Sequence, residues 1–440
     1  MNRDASAAAG TTGTRCTCTA CPLLCDDISL TPAGADRACD LGRAAFAAAL
    51  PSLAADDASP AASKPADAWE NGRPLSRDAA VARAAATLGT GRCVLVTGLV
   101  DATLEAIVAA CDLAETLDAA IDAGHPDVAA VAGPTIARAG AVTADWEELR
   151  DRADLVIFWC VDPGASHPRF IERFVAPPLE GGRPRRTIAV GAVPVIPVAT
   201  HHQHLPLGDG RSVELARCLH LACTGSDLHA GVEASLVTAC NALVAAIRSA
   251  TCVAFVTSSG GPVGLEAWSI AHLVRAIAHR TPAFQVPLVA AGTDAAGAAA
   301  VCTWRYGAAG AISRADRAGG RFLPGEATAA RLVARGEVDV ILAVGRLGSD
   351  VEQAIAAAGP SLAVVRIAGA PADRGPVMGR SIELRCADTL LTAGTMLRGD
   401  GRSVAVAPPH TSPLPSLRDL LVMVHQAVAK APPPAAGGHP

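Results

Sequence analysis

Short, uninterrupted apolar runs recur along this 440-residue chain, several of them stopping at a glycine, and they leave few folds open. Cys93–Thr97 (CVLVT) ends at Gly98, and Val338–Val344 (VDVILAV) ends at Gly345. Leu155–Trp159 (LVIFW), Thr187–Val190, Val253–Thr257 (VAFVT, with Gly260-Gly261 beyond it) and Leu362–Ile367 (LAVVRI) are of the same kind. A run without polar alternation has to be buried on both faces, the condition of a strand in a parallel sheet covered by helices. Helical stretches separate the runs: one from the cap Ser76 to about Leu88, then Thr103–Leu117, Arg211–Ala222, Val232–Ser249 and Leu265–His279. Strands alternating with helices predict an α/β protein built as doubly wound parallel sheets, and the number of units predicts two of them. Only 3% of the residues are aromatic, so Ala, Val, Leu and Ile must fill the cores.

Ahead of these units stand Cys18, Cys21, Cys25 and Cys39, spaced Cys-x2-Cys-x3-Cys with thirteen residues before the fourth. Such a loop can wrap three thiolates around one centre while the later Cys closes the fourth corner. The set suits tetrahedral zinc or an iron–sulfur cube. Structural zinc more often takes two Cys-x2-Cys pairs, so the spacing leans toward a 4Fe-4S cluster; buried, unligated thiols are the third reading. The module is expected over residues 16–55, with a short strand at Asp26–Leu30 and a helix at Leu41–Leu50. Pro51–Asp67 reads as a linker or exposed loop. The other ten cysteines read mostly as core filler in a chain whose thiols are reduced.

A net charge of −5 and the lack of a dense basic run exclude an electrostatic nucleic-acid binder. There is no window of 18 apolar residues and no signal-peptide pattern, so a soluble cytoplasmic protein without membrane spans is expected. Gly98, Gly260-Gly261 and Gly345 lie just past strand ends, where open α/β sheets bind ligands. None belongs to a G-x-G-x-x-G or P-loop fingerprint, and plain turn glycines are the other reading.

Longer segments carry a family resemblance. CTCTACPLLCDDISL with ACDLGRAAF, then AGPTIARAG, RADLVIFWCVDPGASHPRF, VCTWRYGAAGAISRADR, FLPGEATAARLVARGEVDVIL and PVMGRSIELRCADTLLTAGTMLRGDGRS occur in order over most of residues 16–425. Together they resemble the B-type subunit of formylmethanofuran dehydrogenase, a member of the molybdopterin/tungstopterin oxidoreductase family. Trp159–Arg169, with Pro163, Ser166, His167, Pro168 and Arg169, is the most distinctive part. The resemblance implies an N-terminal cluster domain, ligated by Cys18, Cys21, Cys25 and Cys39, and two Rossmann-like domains, one inserted into the other. It places the first at 70–130 plus 335–428 and the second at 131–334; the Pro/Gly/Ala-rich end, 429–440, reads as a disordered tail. Gly98, Gly133, Pro134, Ser166, His167, Gly260 and Gly345 become the positions expected to face a bis-pterin guanine dinucleotide. No C-terminal β-barrel is expected in this chain; a partner subunit would supply one.

The departures are informative. Where redox-active relatives have a segment resembling V-C-H-G-P, this chain has Ala130-Val131-Ala132-Gly133-Pro134. Val131 replaces the metal-ligating Cys and Ala132 the adjacent His, and neither can bind a metal or carry a proton. A catalytic Arg of the family falls in Val289-Ala290-Ala291-Gly292, where there is none. His125, His167, His201, His202 and His204 fit no common metal spacing, and His201-His202-x-His204 is expected in a solvated loop. Tungsten or molybdenum on a bis-pterin would therefore lack its protein ligand. The pattern implies a non-redox, architectural B-like subunit of the formyltransferase/hydrolase complex of one-carbon metabolism. Its partners would be hydrolase, formyltransferase and barrel-type subunits, which take a formyl group from tetrahydromethanopterin through a methanofuran-like carrier to formate. The alternatives are an active tungsten or molybdenum catalytic subunit, and a pterin-binding or assembly protein on this fold. Arg183–Arg186 is expected either to contact partners or to form a solvated turn.

Overall fold

The computed structural model of the protein describes residues 13–50, 66–124, 140–191, 202–227, 231–258, 263–288, 292–314, 320–369 and 380–430. Two mainly parallel sheets organise it. The larger runs Arg73–Pro74, Ala68–Glu70, Arg380–Arg385, Ala363–Ala368, Val340–Val344, Val94–Thr97, Ala120–Asp122 in spatial order. Its first two strands pair antiparallel and the other five are parallel. The smaller runs His202–Leu205, Arg186–Val190, Leu155–Trp159, Val253–Ser258, Ala283–Leu288, and is parallel throughout. The chain thus leaves the large sheet after Asp122, completes the small one, and re-enters at Val340.

The apolar runs lie where their composition demands. Leu155–Trp159 and Val340–Val344 are buried at every position. The two helices flanking Val94–Thr97 start on side-chain caps: Ser76 accepts from the Ala79 amide at 3.3 Å, and Thr103 from Ala106 at 3.4 Å. In each sheet the chain turns outward in opposite directions from two adjacent strands. These switch points lie between Val94–Thr97 and Val340–Val344, and between Leu155–Trp159 and Val253–Ser258.

Some elements depart from the sequence reading. His202 and His204 stand on the edge strand of the small sheet, not in a solvated loop, and both are engaged. His202 Nδ1 lies 2.9 Å from Thr187 Oγ1, and His204 Nε2 lies 2.7 Å from the Gly191 carbonyl. In Arg183–Arg186, Arg185 is neither a partner contact nor solvated. It is buried and donates to the carbonyls of Ala153 (2.9 Å), Pro177 (2.6 Å), Val175 and Arg150. Those acceptors replace the water a guanidinium loses on burial. Cys93 and Cys160 are exposed, unlike the core cysteines. The last helix, Leu417–Lys430, includes the first two residues assigned to the tail. Most of the linker and the rest of that tail lie outside the described residues.

A hairpin of Gly394–Leu397 and Ser403–Val406 ties the chain's distant parts together. The Thr17 amide donates to the Ala407 carbonyl at 3.0 Å and the Gly399 amide to Pro22 at 2.9 Å. The Thr395 amide donates to Glu105 at 3.0 Å. Arg398 pairs with Glu147 and Asp400 and lies 4.9 Å above the Trp146 ring. Asp294, fully buried, joins the hairpin to helix Ala295–Tyr306 by accepting from the amides of Leu397 and Gly297, each at 2.9 Å. Burial pushes this carboxyl up to about 8 despite those two donors. The folded chain therefore holds a proton here that the unfolded chain releases near its ordinary value of 3.8. The associated stability is fully present below that value and is lost as pH rises toward 8. Asp294→Asn is expected to remove part of the decline in unfolding free energy between pH 5 and 7.5, by up to about 1.4 kcal/mol per pH unit. Urea unfolding at several pH values checks this; identical slopes for the two proteins would refute it.

Candidate functional site

Thr14–Cys16, Ile28–Thr31 and Gly34–Asp36 form a small antiparallel sheet, and the Cys18–Cys25 loop connects its first two strands. The loop curls back on itself. The Cys18 amide donates to the Cys25 carbonyl at 2.8 Å and the Leu24 amide to Cys21 at 3.2 Å, with Leu24 at φ 44°. Cys39 immediately precedes helix Asp40–Ala49 and brings its side chain to the loop. A Cβ on Gly42 would stand 3.1 Å from the Cys18 sulfur and 3.9 Å from that of Cys39, so glycine keeps this space open.

The four thiols lie close enough to interact electrostatically. Burial pushes Cys18 and Cys21 up to about 12; amide donors from Ala20 and Leu23 pull the other way, and the neighbouring sulfurs push further up. Burial also raises Cys25, opposed by the charge and hydrogen bond of Arg173. Mutual repulsion of thiolates is the situation that a bound cationic centre reverses. The cysteines are thus near enough to influence one another, with amide and guanidinium donors beside them. Among the described residues no group of three or more His, Cys, Asp or Glu side chains is arranged to hold a metal ion, so this geometry favours neither the zinc nor the iron–sulfur reading.

Charge fastens this module to the small-sheet domain. Arg169, buried, donates through both terminal nitrogens to Asp27 at 2.8 Å and also binds Glu172 at 2.8 Å. Arg173, one turn on, reaches Asp26 at 3.0 Å. The turn is wide, closed by the Ala176 amide on the Ile171 carbonyl, and it presents both guanidinium groups to the loop. Burial would raise Asp27, but Arg169 outweighs it and holds the carboxyl below its ordinary range. Neither Arg173 nor Asp27 stood out in the sequence, although acidic residues directly after Cys25 and two arginines four apart were the available signal.

Ser166 and His167 lie behind this joint. His167 is fully buried, with Nδ1 2.7 Å from Ser166 Oγ and its ring edge-on to Trp146 at 5.8 Å. Burial lowers it to about 4, so it is neutral at pH 7. Trp146, Phe170 and Phe174 pack with it beneath the Cys loop.

Gly98 and Gly345 flank the switch point of the large sheet. Gly98 has φ 91°, and a Cβ there would stand 2.3 Å from the Val344 carbonyl oxygen; Gly345 has φ 66°. Both allow the two strand-end turns to touch. Beside them a cavity of about 170 Å³ is lined by Thr97, Val100, Gly124, Arg346 and Gly348 among others. The buried Thr97 hydroxyl has no partner among the described residues, and helix Ser349–Ala358 begins at the cavity without a side-chain cap. Arg346, at the rim of the cavity, is paired with Asp101 at 3.1 Å. The volume falls below the range of about 300–1,000 Å³ usual for cofactor-sized ligands. Val131, Ala132, Gly133, Pro134, Gly260, His125, His201 and Val289–Ala291 lie outside the described residues.

No family model and no curated protein matches the chain. Among solved structures it is similar to a chain of the formyltransferase/hydrolase complex (FhcABCD) from Methylorubrum extorquens, determined with methylofuran. The TM-score is 0.69 and the identity 20%, over 82% of this chain and 99% of that one. The fold is therefore that of the relative over nearly its full length.

Arg169→Ala leaves Asp27 without its main partner across the joint. We expect a loss of about 3 kcal/mol in urea unfolding and faster alkylation of Cys18, Cys21 and Cys25 in the folded protein. Unchanged alkylation rates would show that the ion pair does not hold the module in place.

Proposed function

We propose that this chain is a non-redox, architectural B-like subunit of a formyltransferase/hydrolase-type complex in one-carbon metabolism. The observation that carries the reading is the likeness in fold to a chain of such a complex over 99% of that chain's length. The resemblance of ordered motifs to the B-type subunit of the dehydrogenase agrees with it, as does Val131 standing where a metal ligand would be needed. In this reading the hydrolase and formyltransferase chemistry belongs to partner subunits, and this chain supplies surface and rigidity.

Cys18, Cys21, Cys25 and Cys39 would hold a 4Fe-4S cluster, whose contribution is cross-linking the loop to helix Asp40–Ala49. Metal binding of this kind adds folding free energy directly. Arg173 donates to the Cys25 sulfur and Arg169 neutralises the adjoining carboxylates, so both lower the cost of gathering negative charge at the loop. The small cavity at the large-sheet switch point is proposed as a reduced remnant of a cofactor crevice.

Tagging this chain in its native host and purifying under mild, anaerobic conditions tests the assignment. Hydrolase and formyltransferase subunits should co-purify, deletion should abolish formate release from formyl-tetrahydromethanopterin, and tungsten and molybdenum should be absent from the complex. A monodisperse chain without partners, whose deletion leaves formate release intact, would contradict the reading. Stoichiometric tungsten or molybdenum would favour the active dehydrogenase instead.

A further inference from the structure

The hairpin Gly394–Val406 is held down by little apolar surface. Its buried apolar side chains, Met396 and Val406, form a small cluster with Leu24 of the Cys loop, separate from the larger cores. Polar contacts supply the rest. Thr17 Oγ1 donates to the Ala405 carbonyl at 3.1 Å and accepts from the Ala407 amide at 3.2 Å. Glu105 accepts from the Thr395 amide, and Asp294 from that of Leu397. An element with few buried apolar contacts is where a fold opens locally, and this one lies against the Cys18–Cys25 loop.

Asp294 is the contact among these that a proton can change. Its Oδ1 takes both amide donors, Leu397 and Gly297, and a Cβ on Gly297 would collide with that oxygen. Oδ2 is buried and has no hydrogen-bond partner among the described residues. The charged side chains facing it are both acidic: Glu105 on helix Leu104–Thr116 and Asp101 just ahead of that helix. Basic groups on the surrounding elements are engaged elsewhere, Arg346 with Asp101 and Arg398 with Glu147 and Asp400. Helix Ala295–Tyr306 presents its amino end, worth roughly +0.5 charge; its Arg305 pairs with Asp112 and Glu115. A neutral carboxyl fits here with Oδ1 as its carbonyl and Oδ2 as its hydroxyl. A carboxylate would add a third negative charge, part of it on an oxygen without a donor.

We propose that Asp294 is a proton-operated latch: protonated, it holds the hairpin against helix Ala295–Tyr306 and the Cys loop; ionised, it lets the hairpin lift and admits solvent to the loop. The latch does not depend on the functional assignment above. The carboxyl sits at about 8 in the closed structure and returns toward 3.8 once opened to water. The open population therefore grows as pH rises toward 8 and levels off beyond it.

Hydrogen exchange of the full-length protein, read by mass spectrometry between about pH 6 and 9 and corrected for intrinsic amide rates, tests the latch. Opening of the 394–406 segment should rise by about tenfold per pH unit below 8 and flatten above it, while the Val340–Val344 amides keep their protection. Asp294→Asn should remove the pH dependence of hairpin exchange. At pH 8 the Cys18–Cys25 loop should alkylate faster in the wild-type protein than in that variant. Glu105→Gln removes one facing charge and keeps an acceptor for Thr395, so it should move the plateau to lower pH. That second variant decides the matter if the first does not fold. Parallel opening of hairpin and sheet amides, pH dependence that survives in Asp294→Asn, or an unmoved plateau in Glu105→Gln would overturn the latch.

Discussion

Arg169, buried and donating twice to Asp27, is the contact around which the N-terminal half of the protein is arranged. A guanidinium removed from water is tolerable only when its donors are met by well-aligned acceptors, and here two carboxylates meet them. The pair sets the Cys18–Cys25 loop against the small-sheet domain, so that loop, module sheet and the aromatic packing of Trp146, Phe170 and Phe174 form one continuous core. Three of the four thiols, Cys18, Cys21 and Cys25, are buried in this core and are unfavourable there as thiolates.

The hairpin Gly394–Val406 completes the arrangement from the other end of the chain. It touches the Cys module at Thr17 and Pro22, the large-sheet domain at Glu105, and helix Ala295–Tyr306 through Asp294. Arg398 meanwhile caps the Trp146 cluster. Contacts of such long sequence separation tie these parts of the structure together. They also place fully buried polar groups, Asp294 and His167 among them, at the junctions between modules.

Much of the architecture was legible because its determinants are local. Val94–Thr97, Leu155–Trp159 and Val340–Val344 are buried on both faces, and nothing but a covered parallel strand suits so apolar a run. Arg380–Arg385 escaped notice because its charged residues and its antiparallel partner Ala68–Glu70 break the pattern. His202–Leu205 reads as a loop until the edge pairing with Arg186–Val190 is known. The cysteines announced themselves through spacing, but Asp27 and Arg169 lie 142 residues apart, and no short-range signal joins them. Arg185 looked like a surface residue for a related reason: the carbonyls it satisfies come from segments that only the fold brings together. His167, singled out as ligand-facing, is buried against Trp146, and burial keeps its imidazole neutral.

The central claim is that the four thiols hold an iron–sulfur cluster whose work is structural. X-ray absorption at the iron and zinc edges of anaerobically purified protein, with iron and acid-labile sulfide assays on the same sample, tests it most directly. The account predicts about four irons per chain in a sulfur environment with short iron–iron distances, lost together when Cys18 and Cys39 are replaced by Ser. Stoichiometric zinc, or metal-free protein in which all four thiols alkylate freely while the fold stays intact, would contradict it.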